Sequence, residues 1–145
     1  MNIFFFFETT FQVIVNDLSD DNILPKDIDI SRVVFELPRE ASHGDIACNA
    51  AMVLSKQVGS SPGELARLFA TELGAVDGVT DVKIAGPGFL NIEVEPRLWT
   101  GEISNILSAG ISYGKSKIGA GKPVNIEFVS ANPTGPLHAA HARGA

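Results

Sequence analysis

The sequence has very little cysteine and no long hydrophobic segment, and each absence excludes a class of protein. Its 145 residues include one cysteine, Cys48. No disulfide can form within the chain, which favours a reducing compartment. No segment approaches the ~20 apolar residues that span a membrane. No basic residue precedes Lys26, which argues against a signal or transit peptide. We therefore expect a cytoplasmic protein without membrane contact.

Basic residues are also scarce, with 11 Lys and Arg against 17 Asp and Glu and a formal net charge of −6. A generally basic nucleic-acid-binding surface is excluded, although a local basic patch is not. Hydrophobic residues make up 45% of the chain, which is typical of a globular protein and not of a disordered one.

The spacing of apolar residues predicts an α+β domain over residues 1–110, with about four helices packed on a small antiparallel sheet. Capping and breaker residues predict helices that begin at Asn2, Asp45, Ser61 and Pro96. Apolar runs predict strands over residues 33–37, 79–85 and 89–94. The predicted core contains Phe4, Phe11, Leu65, Phe69, Trp99 and Ile103, and the last helix is expected to direct Leu98, Trp99, Ile103, Ile106 and Leu107 inward.

A second segment has a different pattern. Residues 111–122 are rich in Gly and Lys and read as a linker. Residues 123–129 are rich in β-branched residues and predict a strand, which a loop connects to a helix start at His138. This is how an α/β Rossmann-like domain opens. Because residues 123–145 contain no partner for that strand, we expect the chain to be an N-terminal fragment.

The strand, loop and helix start predict a ligand crevice at residues 125–141. The free N–H groups of a first helical turn favour an anionic oxygen. His138 and His141 lie on one face of that turn and can donate to a phosphate. Strand alternation directs Glu127 to the same crevice, where it can pair with a cationic group. An HxxH pair is common by chance, and a zinc site is not expected because no further ligands accompany it.

The tract EFVSANPTGPLHAAH, residues 127–141, closely resembles the signature of arginyl-tRNA synthetases, class I enzymes with a "HIGH" sequence at this point. Two earlier tracts resemble the additional N-terminal domain of that family. They are SHGD (42–45) with NAA (49–51), and GPGFLN (86–91). The resemblance covers essentially the whole chain and assigns residues 1–110 to that domain and 123–145 to the start of the catalytic domain.

The resemblance implies ATP-dependent attachment of arginine to tRNA(Arg) through arginyl-adenylate, by a monomer without a resident metal or prosthetic group. ATP would be a substrate accompanied by Mg²⁺. By position, arginine would be held by Glu127, Ser130, Asn132 and His138. ATP would be held by His138, Ala140 and His141, and the two histidines would be the catalytic residues. Ala140 departs from the family, which has glycine there, and its methyl group leaves less room for the adenine ring.

Phe89 and Asn91 form a second candidate site. Strand alternation places both on one face and Leu90 on the other. For a tRNA contact we expect both to be exposed, side by side on the sheet. An exposed aromatic ring beside an amide can stack on and hydrogen-bond to an unpaired base. In the family resembled, an aromatic-x-Asn sequence here contacts a D-loop nucleotide at the outer corner of the tRNA. The alternative is that Phe89 is a core residue, which is the more common place for phenylalanine.

Two other functions remain open. The chain would be a non-catalytic tRNA-binding module if its HIGH region were a remnant, an interpretation that Ala140 favours. It would alternatively belong to another class of nucleotidyl transferase with an HxxH pair. Those enzymes do not need the N-terminal domain predicted over residues 1–110 or the Asn-Pro-Thr sequence at residues 132–134.

Overall fold

The computed structural model describes residues 2–117, 119–132 and 134–144. The chain divides into two compact units, Met1–Gly110 and Ile111–Ala145. The first unit is an α+β structure, as predicted. Its four α-helices and four strands, in chain order, are α1 (Ile3–Asp20), β1 (Phe35–Glu36), β2 (Ile46–Cys48), α2 (Ala50–Val58), α3 (Pro62–Gly74), β3 (Val79–Ala85), β4 (Phe89–Val94) and α4 (Pro96–Ala109).

Helix α1 begins where its sequence predicts. The Asn2 side chain caps it by accepting a hydrogen bond from the Phe5 backbone N–H at 2.9 Å. Phe11, a predicted core residue, is fully buried, and so is Phe7 one turn before it. Phe4 packs at the edge of the core, where its ring contacts Trp99.

The sheet is small and antiparallel, as predicted, with strand order β1-β2-β4-β3. Strand β4 is central, since it pairs with β2 on one side and with β3 on the other. Its inner face carries Leu90, Ile92 and Val94, all buried against the helices. Residues 89, 91 and 93 of β4 therefore lie on the other, outer face of the sheet.

The predicted helix start at Asp45 is wrong, because Asp45 leads into strand β2. Its backbone N–H donates to the Ile92 carbonyl, and its carboxylate accepts the Val94 N–H at 2.9 Å. Gly44 has a φ of +87°, and a Cβ there would approach the Ile92 carbonyl oxygen to 2.9 Å. The Gly44-Asp45 pair thus attaches the start of β2 to β4, and α2 begins only at Ala50.

Helix α3 begins after Ser61, as predicted, and a capping box closes its first turn. Ser61 accepts from the Glu64 backbone N–H, and the Glu64 carboxylate accepts from the Ser61 backbone N–H and hydroxyl. These hydrogen bonds, first that of the hydroxyl and then that of the backbone, lower the pKa of Glu64. The helix buries Leu65, Phe69 and Leu73 against the sheet side of the core, which confirms the predicted positions of Leu65 and Phe69.

Helix α4 differs from its prediction. Leu98 and Trp99 are partly buried, but Ile103, Ile106 and Leu107 are exposed, with Ile103 at 55%. In the first turn of α4, the Trp99 ring contacts Phe4 of α1. The apolar stripe of α4 continues beyond the part of the helix that the core supports, so Ile103 is not a core residue.

In the second unit, the structure places no strand over residues 123–129, contrary to the sequence prediction. A strand needs a hydrogen-bonded neighbour, and none of the described residues pairs with this segment. A short helix, α5 (Ala139–Gly144), begins close to the predicted point. Among the described residues, the helices are all too short or too polar to cross a membrane.

The contrast between Phe69 and Ile103 gives a test of this core. Phe69 is fully buried and packs edge-to-face on Phe11 with ring centroids 5.0 Å apart. We expect Phe69→Ala to lower the free energy of unfolding by ~3–5 kcal/mol. Ile103→Ala should change it by about 0.5 kcal/mol or less, as at exposed positions. Urea denaturation followed by circular dichroism measures both, and equal losses would contradict this assignment of the core.

Candidate functional site

The outer face of the sheet carries a groove of about 370 Å³. Cross-strand pairing aligns Glu36 with Ala47, Ala47 with Asn91, and Asn91 with Lys83. The groove lies over this row and is lined by residues 36–40, 43, 47, 85–86, 89 and 91. We call it the outer groove. Its size lies within the range of small-ligand sites, ~300–1,000 Å³.

A tight turn positions Phe89 at one side of the outer groove. Gly86 and Gly88 have φ angles of +53° and +138°, which glycine adopts without steric cost. A Cβ on Gly88 would meet Pro62 at 3.1 Å, because the turn packs closely on the start of α3. Phe89 then pairs with Ala85 in the first position of β4. The turn therefore fixes the phenylalanine at the sheet surface.

Phe89 and Asn91 both line the outer groove, but they differ in exposure. Phe89 is 39% exposed, so it is not a core residue. Asn91 is 8% exposed, so the expectation that both side chains are exposed is wrong for Asn91. Its side chain forms no hydrogen bond with any residue that the structure describes. Since no fully enclosed polar side-chain atom of the described residues lacks a partner, the Asn91 amide atoms must remain accessible to solvent. The Asn91 amide is therefore free to bind a ligand through the groove.

The other side of the outer groove is the loop after β1, which sequence reasoning did not identify. It contains Leu37, Pro38, Arg39 and Glu40 and ends in a 3₁₀ turn, Ala41–His43. The Glu40 carboxylate lies 3.9 Å from Nε2 of His43. No local pattern marks these residues, since they reach the groove only when β1 joins the sheet.

Asn49 helps to hold β1 in place. Its side-chain oxygen accepts the Val34 backbone N–H at 2.9 Å, and its side-chain nitrogen donates to the Arg32 carbonyl at 3.3 Å. These bonds connect the segment before β1 to the start of α2. Asn49 is therefore a structural residue that fixes the direction from which the loop enters the groove.

In the second unit, His138 and His141 lie together as predicted, with ring centroids 3.9 Å apart. The Nδ1 atom of His141 accepts the His138 backbone N–H at 3.1 Å. A neutral imidazole that accepts at Nδ1 carries its proton on Nε2. His141 can thus donate from Nε2 to an anionic oxygen, but the His138 N–H is already bound and is not free for a phosphate.

The other residues predicted for arginine and ATP are not assembled into a site. Glu127, Ser130, Asn132 and Ala140 are exposed. The side chains of the first three form no hydrogen bond or ion pair with another described residue. Pro133 of the same tract lies outside the described residues. No cluster of three or more His, Cys, Asp or Glu suited to a metal ion occurs in the described part of the chain.

Comparison with known families relates the chain to one of them. Residues 7–94 match the model of the arginyl tRNA synthetase N-terminal domain. The match extends from the first turns of α1 to the end of β4, so it includes the whole sheet. It covers more than half of the chain and contains every residue that lines the outer groove.

Curated relatives are similar along the full chain. Arginine–tRNA ligase of Parvibaculum lavamentivorans is 50% identical over 145 residues, and that of Xanthobacter autotrophicus is 49% identical over 145 residues. The enzyme of Brucella ovis is 51% identical over 148 residues. All three alignments cover 100% of this chain and 25% of the relative. The chain thus spans about a quarter of the length of these enzymes.

Alanine variants of the neighbouring residues Asn91 and Ile92 test whether the Asn91 side chain stabilises the fold. Because its side chain has no hydrogen-bond partner among the described residues, we expect Asn91→Ala to change the free energy of unfolding by less than about 1 kcal/mol. Ile92→Ala, at the next position on the buried face, should cost ~2–5 kcal/mol. Urea denaturation compares the two variants. A loss in Asn91→Ala as large as that in Ile92→Ala would show that the amide stabilises the fold.

Proposed function

Because the chain belongs to the arginyl-tRNA synthetase family, we propose that it is the tRNA-recognising front part of an arginine–tRNA ligase. In this proposal the outer groove binds one unpaired nucleotide of the tRNA. The observation that carries it is the partly exposed Phe89 ring beside the largely buried side chain of Asn91, whose amide has no partner among the described residues and stays accessible from the groove. A ring and a free amide in one groove match the two ways in which proteins hold a splayed base.

The chemistry assigns a separate role to each side chain. The Phe89 ring offers a face for stacking, which tolerates any base. The Asn91 amide offers a donor and an acceptor to the edge of that base. Because most of the Asn91 side chain is removed from water, an unmatched edge would leave polar groups without partners. Phe89 therefore contributes affinity, and Asn91 contributes selectivity.

The charge of the chain limits how tightly it binds alone. A net charge of −6 repels the tRNA backbone. In a protein of the relatives' length, further contacts would raise the effective concentration of tRNA at the outer groove. We therefore propose that the groove orients a tRNA that other parts of the enzyme also hold.

The catalytic part of the proposal concerns residues 127–141. Arginine's carboxylate would attack the α-phosphate of ATP and expel pyrophosphate. The arginyl group of the resulting arginyl-adenylate would then pass to the 3′-terminal hydroxyl of tRNA(Arg), with release of AMP. Glu127, Ser130 and Asn132 would hold arginine beside His138. His141 would donate from Nε2 to the phosphate, with Ala140 next to the nucleotide and Mg²⁺ entering with ATP. We expect this chemistry in the cytoplasm and from a monomer.

A non-catalytic tRNA-binding module is the second candidate function. The outer groove lies entirely within the first unit. Glu127, Ser130 and Asn132, three of the residues proposed for arginine, are exposed, and their side chains bond to no other described residue. Ala140, in place of the family glycine, reduces the space for adenine. These observations favour a chain that binds tRNA without activating arginine.

Binding of tRNA by the 145-residue chain tests the nucleotide site. We expect Phe89→Ala to weaken binding of a tRNA(Arg) transcript about five- to 150-fold, which corresponds to ~1–3 kcal/mol for one stacked base. Fluorescence anisotropy with end-labelled tRNA at low salt measures the dissociation constant. Because Phe89 is not in the core, the melting temperature should be nearly unchanged.

Phe5→Ala is the matched control for this test. Phe5 is 54% exposed on α1 and does not line the outer groove. Its replacement removes the same ring, so tRNA binding should be as in the unchanged chain. Wild-type affinity in Phe89→Ala would contradict the proposed site, and so would a large drop in its melting temperature.

Arginine-dependent ATP–pyrophosphate exchange separates binding from activation. The described part of the second unit contains one six-residue α-helix and no sheet, so no preorganised donors surround the reacting phosphate. We expect no exchange from the 145-residue chain, with or without tRNA(Arg). Exchange above the background given by His138→Ala would show that this chain alone activates arginine.

A further inference from the structure

The loop after β1 forms half of the outer groove, and the proposed roles of Phe89 and Asn91 leave it unused. Leu37 is 66% exposed and Pro38 is half-buried, so the loop presents an apolar surface to the groove. The loop is held at both ends. Phe35 pairs with Cys48 before it, and Asp45 bonds to β4 after it. Its position is therefore part of the fold.

Arg39 is an exposed cation at this groove with no internal counter-ion. No carboxylate of the described residues lies within 4.0 Å of its guanidinium. Lys83 on β3 and Arg97 at the start of α4 differ in this respect. Lys83 is paired with Glu93 and Asp81, and Arg97 with Asp77 and Glu95.

The acidic residues at the groove restrict where an anion can bind. Glu36 and Glu40 also line it, and Glu40 lies 3.9 Å from His43. A phosphate beside either carboxylate would be repelled. A phosphate beside Arg39 would be attracted, and it would meet a planar donor group suited to two parallel hydrogen bonds.

We infer that the loop from Leu37 to Glu40 is the second half of the nucleotide site, with Arg39 binding a phosphate of the nucleotide whose base stacks on Phe89. This inference rests on the proposed function. Leu37 and Pro38 cover the face of the base that Phe89 does not contact. The groove then holds a base between two apolar surfaces, reads its edge with Asn91 and neutralises its backbone with Arg39.

The salt dependence of binding separates a phosphate contact from a base contact. Each phosphate contact to a single strand contributes about 0.7 to the slope of log affinity against log salt. In the 145-residue chain with a tRNA(Arg) transcript, we expect Arg39→Gln to reduce this slope by about 0.7. At low salt it should weaken binding about fivefold. Arg39→Lys should keep the slope, since it keeps the charge.

Two variants control for other effects. Arg67→Gln makes the same change of charge on the exposed side of α3, away from the groove, and should leave the slope unchanged. Phe89→Ala should weaken binding without changing the slope, because stacking releases no counter-ions.

The outcomes distinguish this inference from the function on which it rests. A reduced slope in Arg39→Gln alone supports the phosphate contact. An unchanged slope in Arg39→Gln, with binding still weakened by Phe89→Ala, overturns the inference and leaves the nucleotide site standing. Equal slope changes in Arg39→Gln and Arg67→Gln also overturn it, because the effect would then be one of net charge. Absence of wild-type binding at low salt contradicts the proposed function and the inference together.

Discussion

The alternation of side chains along strand β4 is the constraint on which both the core and the outer groove depend. Leu90, Ile92 and Val94 face the helices and are buried. The intervening positions face outward, which places Phe89 and Asn91 at the groove. A shift of one residue in the register of β4 would exchange these two sets. The stability of the inner face therefore fixes the positions of the groove residues.

One polar anchor and one packing contact protect that register. Asp45 binds the backbone of β4 at Ile92 and Val94, and the Gly86–Gly88 turn packs against the start of α3. The polar anchor acts near the end of β4 and the packing contact near its beginning. The loop between β1 and β2 is then carried over the outer face of the sheet. The fold thus makes a groove with a rigid floor from residues that are far apart in sequence.

The sequence could predict elements whose signals are local. The caps at Asn2 and Ser61 and the strands around the Gly-Pro-Gly turn depend on residues within a few positions, and the structure confirms them. The helix predicted at Asp45 failed because aspartate also binds the backbone of a distant strand. The inward stripe of α4 failed because periodicity does not reveal where the core that supports a helix ends.

Sequence alone determined the family resemblance, the alternation that pairs Phe89 with Asn91 and the proximity of His138 to His141. All of these follow from spacing along the chain. Only the tertiary structure decided that Phe89 lies outside the core, that Asn91 is largely buried yet has no hydrogen-bond partner among the described residues, and that the loop with Arg39 lines the same groove. Cross-strand pairing brings residues 36–40 next to residues 85–91. Such contacts depend on which strands become neighbours, and no local pattern specifies them.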